Sequence, residues 1–245
     1  MTPTGIIFAT LDCDLDSIEA WNRWYDLEHT PPNIAMFGVM LSRRYVAPPK
    51  LHRIRHVEAG HAMADGHGSF ITIYTLCEPP AKTVAAMSEL REKLYAEGRM
   101  NYPAEKKAVR AAGGAMNYIS GVSSSEIRLT KDEAPFVGHT AVLAVFRRCA
   151  EDVDAWYRSE WAERVTSVEG VHAVATFQPA TAGQQLDLVY FEGDPVSQTA
   201  AIRAAAPHHA DATILADAPF LVIDNLNYPW AERMRNSDLP KTIND

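Results

Sequence analysis

Residues 21–32 read WNRWYDLEHTPP, a run with two tryptophans, one tyrosine, two acids and one histidine ahead of two prolines. On a helix, Trp21, Tyr25, Glu28 and His29 share one broad face, because residues three and four apart lie on adjacent turns. Trp24 and Glu28 pair in the same way. Histidine is the side chain that ordinarily changes charge near neutral pH, so His29 is the candidate general acid or base. A helix carboxyl end would favour its charged form and burial its neutral form. Tyr25 is placed to stabilise an oxyanion, and Glu28 is either a second proton carrier or half of a surface ion pair. Each has a plainer reading. His29 could cap the last helical carbonyls, and the tryptophans could wedge the helix onto a sheet.

Two arginines, Arg43 and Arg44, end the next apolar run, VMLSRRY. Alternation along a strand sends them to opposite faces, so one should point inward and could hold a carboxylate, enolate or phenolate. Arg44 is taken as the oxyanion partner of His29. Trp24, Arg43, Tyr74 and Tyr118 are candidate substrate contacts, although strand tyrosines are commonly ordinary packing. The segment LHRIRHVEAGHAMADGHG carries His52, His56, His61 and His67. Their spacings of four, five and six residues match no standard zinc pattern and no cysteine is near, so no metal is expected. A glycine- and histidine-rich lid over a pocket mouth fits better. The chain contains neither G-x-S-x-G nor a dinucleotide-binding fingerprint.

The elements that must hold these groups repeat. GIIFATLDCDLDSIEAWNRWYDLEH from Gly5 aligns without a gap on TAVLAVFRRCAEDVDAWYRSEWAER from Thr140. This places Trp21 on Trp156, Glu28 on Glu163, Tyr25 on Glu160 and His29 on Arg164. After a three-residue gap, FGVMLSRRYVAP falls on EGVHAVATFQPA, with Gly38 on Gly170. A feature present in one copy is harder to ascribe to the fold, which favours a working site around His29 in the first half.

Periodicity assigns strands to 6–11, 39–46, 70–76 and 116–129, with helices from Asp16 or Ser17 to about His29 and over 81–98. Pro31 and Pro32 should stop the first helix. The second half follows with strands at 141–146, 171–177, 186–191 and 220–223. Its helices are expected over 152–168 and within 196–215, where Pro207 should break the last. The order β-α-β-β-α-β describes a ferredoxin-like unit. IIFATL, AVLAVF, FITIYTL and LDLVYF are apolar at nearly every position, so both sheet faces must be covered. We expect an α+β fold: two tandem ferredoxin-like units, residues 1–135 and 136–229, packed sheet to sheet as a pseudo-dimeric α/β barrel. Insertions fall at 50–68 and 99–115, and 230–245 reads as a polar tail.

WYDLEHTPP followed by FGVMLSRRY resembles the dimeric α/β barrel superfamily near the EthD-like proteins, which carry Trp-Tyr-x-x-Glu-His-x-Pro and then a strand ending Arg-Arg-Tyr. The resemblance covers about residues 5–48, with 139–180 as a degenerate second copy. It implies a small hydrophobic pocket inside the barrel, used in such folds by cofactor-free monooxygenases, cyclases, isomerases, dehydratases and some heme enzymes. It names no substrate.

Composition bounds the rest. The chain has 245 residues, 47% apolar and 22% charged, with a net charge of -8, which suits a sizeable core and argues against a nucleic-acid surface. Three cysteines near apolar runs read as reduced thiols, and the amino terminus has no basic leader, so a cytoplasmic setting is expected. No apolar run reaches the roughly 20 residues of a membrane span. The leading expectation is a cofactor-independent lyase, dehydratase, cyclase or isomerase. It would use acid/base chemistry on a small hydrophobic compound, aromatic or polycyclic, with a homodimer compatible. The alternatives are a cofactor-free or heme-dependent oxygenase of the same fold, or a non-catalytic small-molecule binder.

Overall fold

The computed structural model describes residues 2–181 and 183–243. Its strands are β1 (Gly5–Cys13), β2 (Val39–Val46), β3 (His56–Val57), β4 (Phe70–Leu76), β5 (Lys107–Ser123), β6 (Ala141–Arg148), β7 (Val171–Pro179), β8 (Gln184–Phe191) and β9 (Thr213–Val222). They form one antiparallel sheet in the order β2-β4-β1-β5-β7-β8-β6-β9, and β9 returns to β2 through Tyr45↔Val222 and Val46↔Leu221. The sheet therefore closes on itself. Each half contributes four strands to this ring, β1, β2, β4 and β5 from the first and β6 to β9 from the second, while β3 pairs with β9; within each four the first strand lies between the third and the fourth. The seams are unequal: β5 and β7 pair from Met116↔Pro179 to Ser123↔Ala173, whereas β2 and β9 share only two pairs.

Residues 18–34 form α1 (Ile18–Trp24), a π-helical turn (Tyr25–His29) and α2 (Thr30–Ile34). The helix thus runs past the prolines expected to end it. Proline lacks an N–H, so it is tolerated where the hydrogen-bond ladder already shifts register, and Pro31 and Pro32 sit in the first turn after the π segment. The second half repeats the device as α5 (Glu151–Trp156), a π turn (Tyr157–Trp161) and α6 (Ala162–Thr166). The short α3 (Pro49–His52) follows β2, and α4 (Pro80–Ala96) and α7 (Pro195–Ala205) follow the third strand of each half. Both first helical segments lead into β2 or β7 through a glycine, Gly38 with φ +99° and Gly170 with φ +81°. Side chains rarely adopt that conformation.

Strands buried along their whole length, such as β4, face apolar groups on both sides. The barrel interior is filled by Phe8, Phe146, Phe177, Phe220, Tyr45 and Tyr190 among smaller aliphatic side chains. Phe8 meets Phe146 edge-on across the halves, with ring centroids 5.4 Å apart. The interior is thus packed core, where a small hydrophobic pocket was expected. Outside it, one apolar layer lies beneath the helices of each half.

The segment 50–68 is also not the open lid its glycines suggest. Leu51 and Met63 are buried in the interior cluster, with Ile54 and Val57 packed against it, and β3 pairs with β9. Its apolar residues plug one end of the barrel. Three other boundaries move. Residues 107–115 belong to β5, so the expected insertion 99–115 is half strand. The last helix, α7, ends at Ala205 ahead of Pro207, and β9 starts at Thr213. The expected polar tail folds back: α8 (Ala231–Arg235) and its neighbours bury Trp230, Met234 and Leu239 in the first half's outer layer, with Trp230 against Phe70. Among the described residues, no helix is long and apolar enough to cross a membrane.

Leu51→Ala should cost about 2–5 kcal/mol in denaturant unfolding, the usual range for a buried leucine. A cost under about 0.5 kcal/mol, normal for a surface change, would restore the lid.

Candidate functional site

The matching π turns and the paired strands fix how the halves correspond. Tyr25–His29 superposes in sequence on Tyr157–Trp161, and α2 on α6. The three-residue gap therefore falls before the helix and not after it, which corrects the helical part of the sequence alignment. Trp24 corresponds to Trp156, Tyr25 to Tyr157, Glu28 to Glu160 and His29 to Trp161. Tyr25 recurs; His29 does not.

Each recurring tyrosine lies over a buried arginine. The Arg44 guanidinium stands 4.1 Å from the Tyr25 ring centroid and donates to Asp26 Oδ1 at 2.9 Å and Asn22 Oδ1 at 2.6 Å. The Arg147 guanidinium stands 4.1 Å from the Tyr157 ring and pairs with Asp154 at 2.8 Å and Asp187 at 2.6 Å. The two arginines come from different strands, β2 and β6, yet occupy the same place between helix and sheet. Arg44 is 5% exposed and already paired to a carboxylate. It positions the helix and points away from the barrel interior; Arg43 is the inward member of the pair.

Above Arg44, the helix-facing side of β2 and β4 is unusually polar. Antiparallel pairing sets Ser42 beside Tyr74 and Arg44 beside Thr72. The π turn and α2 cover them with Tyr25, His29, Thr30 and Asn33. His29 packs between Trp24 and Tyr25, with ring centroids 4.9 Å and 4.4 Å away. Tyr25 neighbours Thr72 and Tyr74, and Tyr74 neighbours Asn33 and Ser42 closely enough to perturb one another. Trp24 Nε1, His29 Nδ1 and Thr30 Oγ1 are buried without a hydrogen bond, and Ser42 Oγ, Thr72 Oγ1 and Tyr74 Oη have only poorly formed contacts with one another and with Tyr25 and Asn33. An unpaired buried polar atom costs about 1–3 kcal/mol, so three beside three weakly bonded hydroxyls call for a ligand or ordered water. A cleft of about 300 Å³, lined by Thr30, Ser42, Arg43, Arg44 and Asn225 among others, opens beside them.

Burial sets the protonation states. His29 is lowered to about 3 by desolvation first, then by the positive charges of Lys107 and Arg44. Burial therefore keeps it a neutral imidazole at working pH, and the helix continues past it instead of offering a carboxyl end. Burial raises Tyr25 and, further, Tyr74, which also feels Tyr25. Both stay protonated and can donate.

The other residues singled out from sequence scatter. Glu28 is exposed on the outer face. Tyr118 packs against Phe177 and donates to the Lys131 carbonyl. His52 bonds Ser69 Oγ at 3.1 Å and is lowered to about 2, mainly by burial. His67 lies 3.5 Å from Asp12, His61 packs on Phe146, and His56 is exposed on β3. His52, His61 and His67 brace the plug, and no group of three His, Cys, Asp or Glu suited to a metal occurs among the described residues. Sequence reasoning missed Thr72, Ser42, Thr30 and Asn33. Their polarity on an otherwise apolar strand pair and helix was the available signal.

The second half lacks this cluster. Trp161 replaces His29 and donates to the Ala206 carbonyl at 2.9 Å. Val165, Val174 and Val189 stand where the first half has Asn33, Ser42 and Tyr74, and all three are buried among apolar neighbours.

No protein-family model matches the chain, and no curated protein matches it. Two solved structures are similar in fold. A Lactobacillus acidophilus NCFM protein provisionally named a monooxygenase is 11% identical over 91% of this chain and 100% of its own, with a TM-score of 0.42. A Fusobacterium nucleatum subsp. nucleatum protein of the same provisional name is 8% identical over 91% and 93%, with a TM-score of 0.49. Identities this low carry no information about a shared reaction.

Because the folded pKa of His29 lies below its ordinary 6.5, the unfolded chain holds more protons on this ring between about pH 6.5 and 3. Stability is complete above that window and falls as the pH drops through it. His29→Asn should therefore lose less stability than the parent between pH 7 and 4, measured by urea midpoints. Parallel curves would show that His29 titrates normally.

Proposed function

We propose that the chain is a pseudo-dimeric α/β barrel built from two tandem ferredoxin-like units, as in EthD-like proteins. On this reading it is an enzyme that moves a proton on a small hydrophobic molecule bound between helix and sheet of the first half. One observation carries it: poorly paired polar groups crowd the first half, while the counterparts of His29, Asn33, Ser42 and Tyr74 in the second half are Trp161, Val165, Val174 and Val189. A requirement of the fold would be kept in both halves. The strand order repeated in both halves, and the ring they close together, support the tandem reading.

In the proposed reaction the substrate ring stacks against Trp24 and Tyr25, and His29 Nδ1 accepts its acidic proton. A conjugate acid near pKa 3 makes this a weak base in the empty site. The oxyanion formed in the same step supplies the opposite charge that raises it, in surroundings where such a pair interacts strongly. Tyr74 and Tyr25, held protonated, donate to that oxyanion. The products are those of an isomerase, dehydratase, cyclase or lyase. A second reading shares the proton transfer and continues with dioxygen attacking the electron-rich anion. The aromatic wall of Trp24, Tyr25 and Trp21 favours it, because excluding water delays reprotonation. An oxygen electrode separates the two.

His29→Ala should lower turnover by about 10²-fold, the usual contribution of a general acid or base, with melting temperature little changed. Trp161→Phe should reduce stability and leave turnover within a few-fold. Equal losses of turnover would place the chemistry outside the polar cluster.

A further inference from the structure

At the short seam between β2 and β9, a second set of polar groups is left over. Arg43 points inward from β2, opposite in face to Arg44. Among the described residues its one hydrogen-bonding contact is Nη1 to His139 Nδ1 at 3.3 Å. That nitrogen is already engaged: it lies 2.8 Å from the Val137 carbonyl, which can only accept, so Nδ1 carries the hydrogen. Nε2 then accepts from the Tyr45 hydroxyl at 2.9 Å. The guanidinium therefore faces an N–H, donor against donor, and its fork of donors meets no protein acceptor.

The carboxylates that line the two clefts, Asp26 and Asp224, are engaged elsewhere. Arg44 takes one oxygen of Asp26, and Leu226 N and the Tyr228 hydroxyl take the other. Asp224 accepts from Asn227 at 3.1 Å. Both faces of the seam are open: Arg43 lines the 300 Å³ cleft with Ser42 and Thr30, and His139 lines an adjoining cleft that shares Val222, Ile223 and Asn225. Position 175, the second-half counterpart of Arg43, is a buried alanine. A half-buried guanidinium whose donors meet no acceptor, lining a cleft of small-molecule size, is complementary to a planar or tetrahedral oxyanion.

We propose that the Arg43 guanidinium forms a binding subsite for an oxyanion group, a carboxylate or a phosphate, on a small molecule held in the cleft at the β2–β9 seam. The anion would accept from the guanidinium nitrogens that His139 leaves without an acceptor. The subsite stands on its own contacts, whatever reaction His29 performs.

The test titrates inorganic phosphate, benzoate and neutral benzamide into the full chain at low ionic strength, with binding read from the Arg43 and His139 side-chain nitrogen resonances. Saturable shifts with phosphate or benzoate, absent with benzamide, are expected. Preference for phosphate would assign a phosphorylated ligand, and preference for benzoate an aromatic or aliphatic acid. Arg43→Gln should weaken binding at least about 10-fold. Arg148→Gln, at an exposed arginine, should leave it unchanged. Retained melting temperature in both variants separates lost binding from lost fold. Equal affinity in the parent and Arg43→Gln, equal loss in Arg148→Gln, or no saturable shift with either anion would overturn the proposal.

Discussion

The contact between a buried arginine and the first tyrosine of each π turn holds the architecture together. It joins helix to sheet in both halves through one geometry: a guanidinium 4.1 Å from a ring, with a polar residue one turn earlier as partner, Asn22 or Asp154. Removing one partner of such a buried pair leaves an uncompensated charge, at a cost of about 3–5 kcal/mol. The arrangement fixes where the π turn starts. That in turn decides which side chains the following residues press onto the strands: His29 in one half, Trp161 in the other. The arginine arrives from β2 in the first half and from β6 in the second, so the place of the charge is maintained while its origin in the chain is not.

This anchoring makes the difference between the halves chemically meaningful. The second half completes its helix–sheet interface with aliphatic packing around the Arg147 ion pairs. The first half fills the equivalent volume with hydroxyls, an imidazole and an indole that do not satisfy one another. Carrying several unpaired buried groups costs stability that packed valines would not. The packed barrel interior, the plug at one end and the folded-back segment around Trp230 supply burial around it. Function placed between helix and sheet needs no cavity inside the barrel.

Much of the fold was legible because strand faces buried on both sides leave long apolar runs, and helix caps and glycines mark the turns. The closed sheet and the repeated element order follow from that pattern. The helical register did not follow, because Trp21 and Trp156 offer an identity that aligns the wrong turn; only the matching π turns and Gly38 with Gly170 show where the gap lies. His29, Tyr25 and Trp24 were visible as an aromatic and ionisable cluster, and the structure brings them together with Tyr74. Arg44 was misplaced because alternation predicts two faces but not which residue takes which. The insertion histidines looked like lid or ligand residues, whereas their neighbours Leu51 and Met63 decide the matter by burial. His139 gave no signal at all, since a single histidine before a strand has no pattern.

The central claim is that small molecules bind between helix and sheet of the first half. The most direct measurement is a crystal soaked with 1-naphthol, a neutral hydroxylated aromatic probe of the unpaired donors. The account predicts its ring against Trp24 and His29, with its hydroxyl within hydrogen-bond reach of Tyr74 or Ser42. Density for the probe beside Tyr157 and Trp161, or inside the barrel among Phe8 and Phe146, would contradict it.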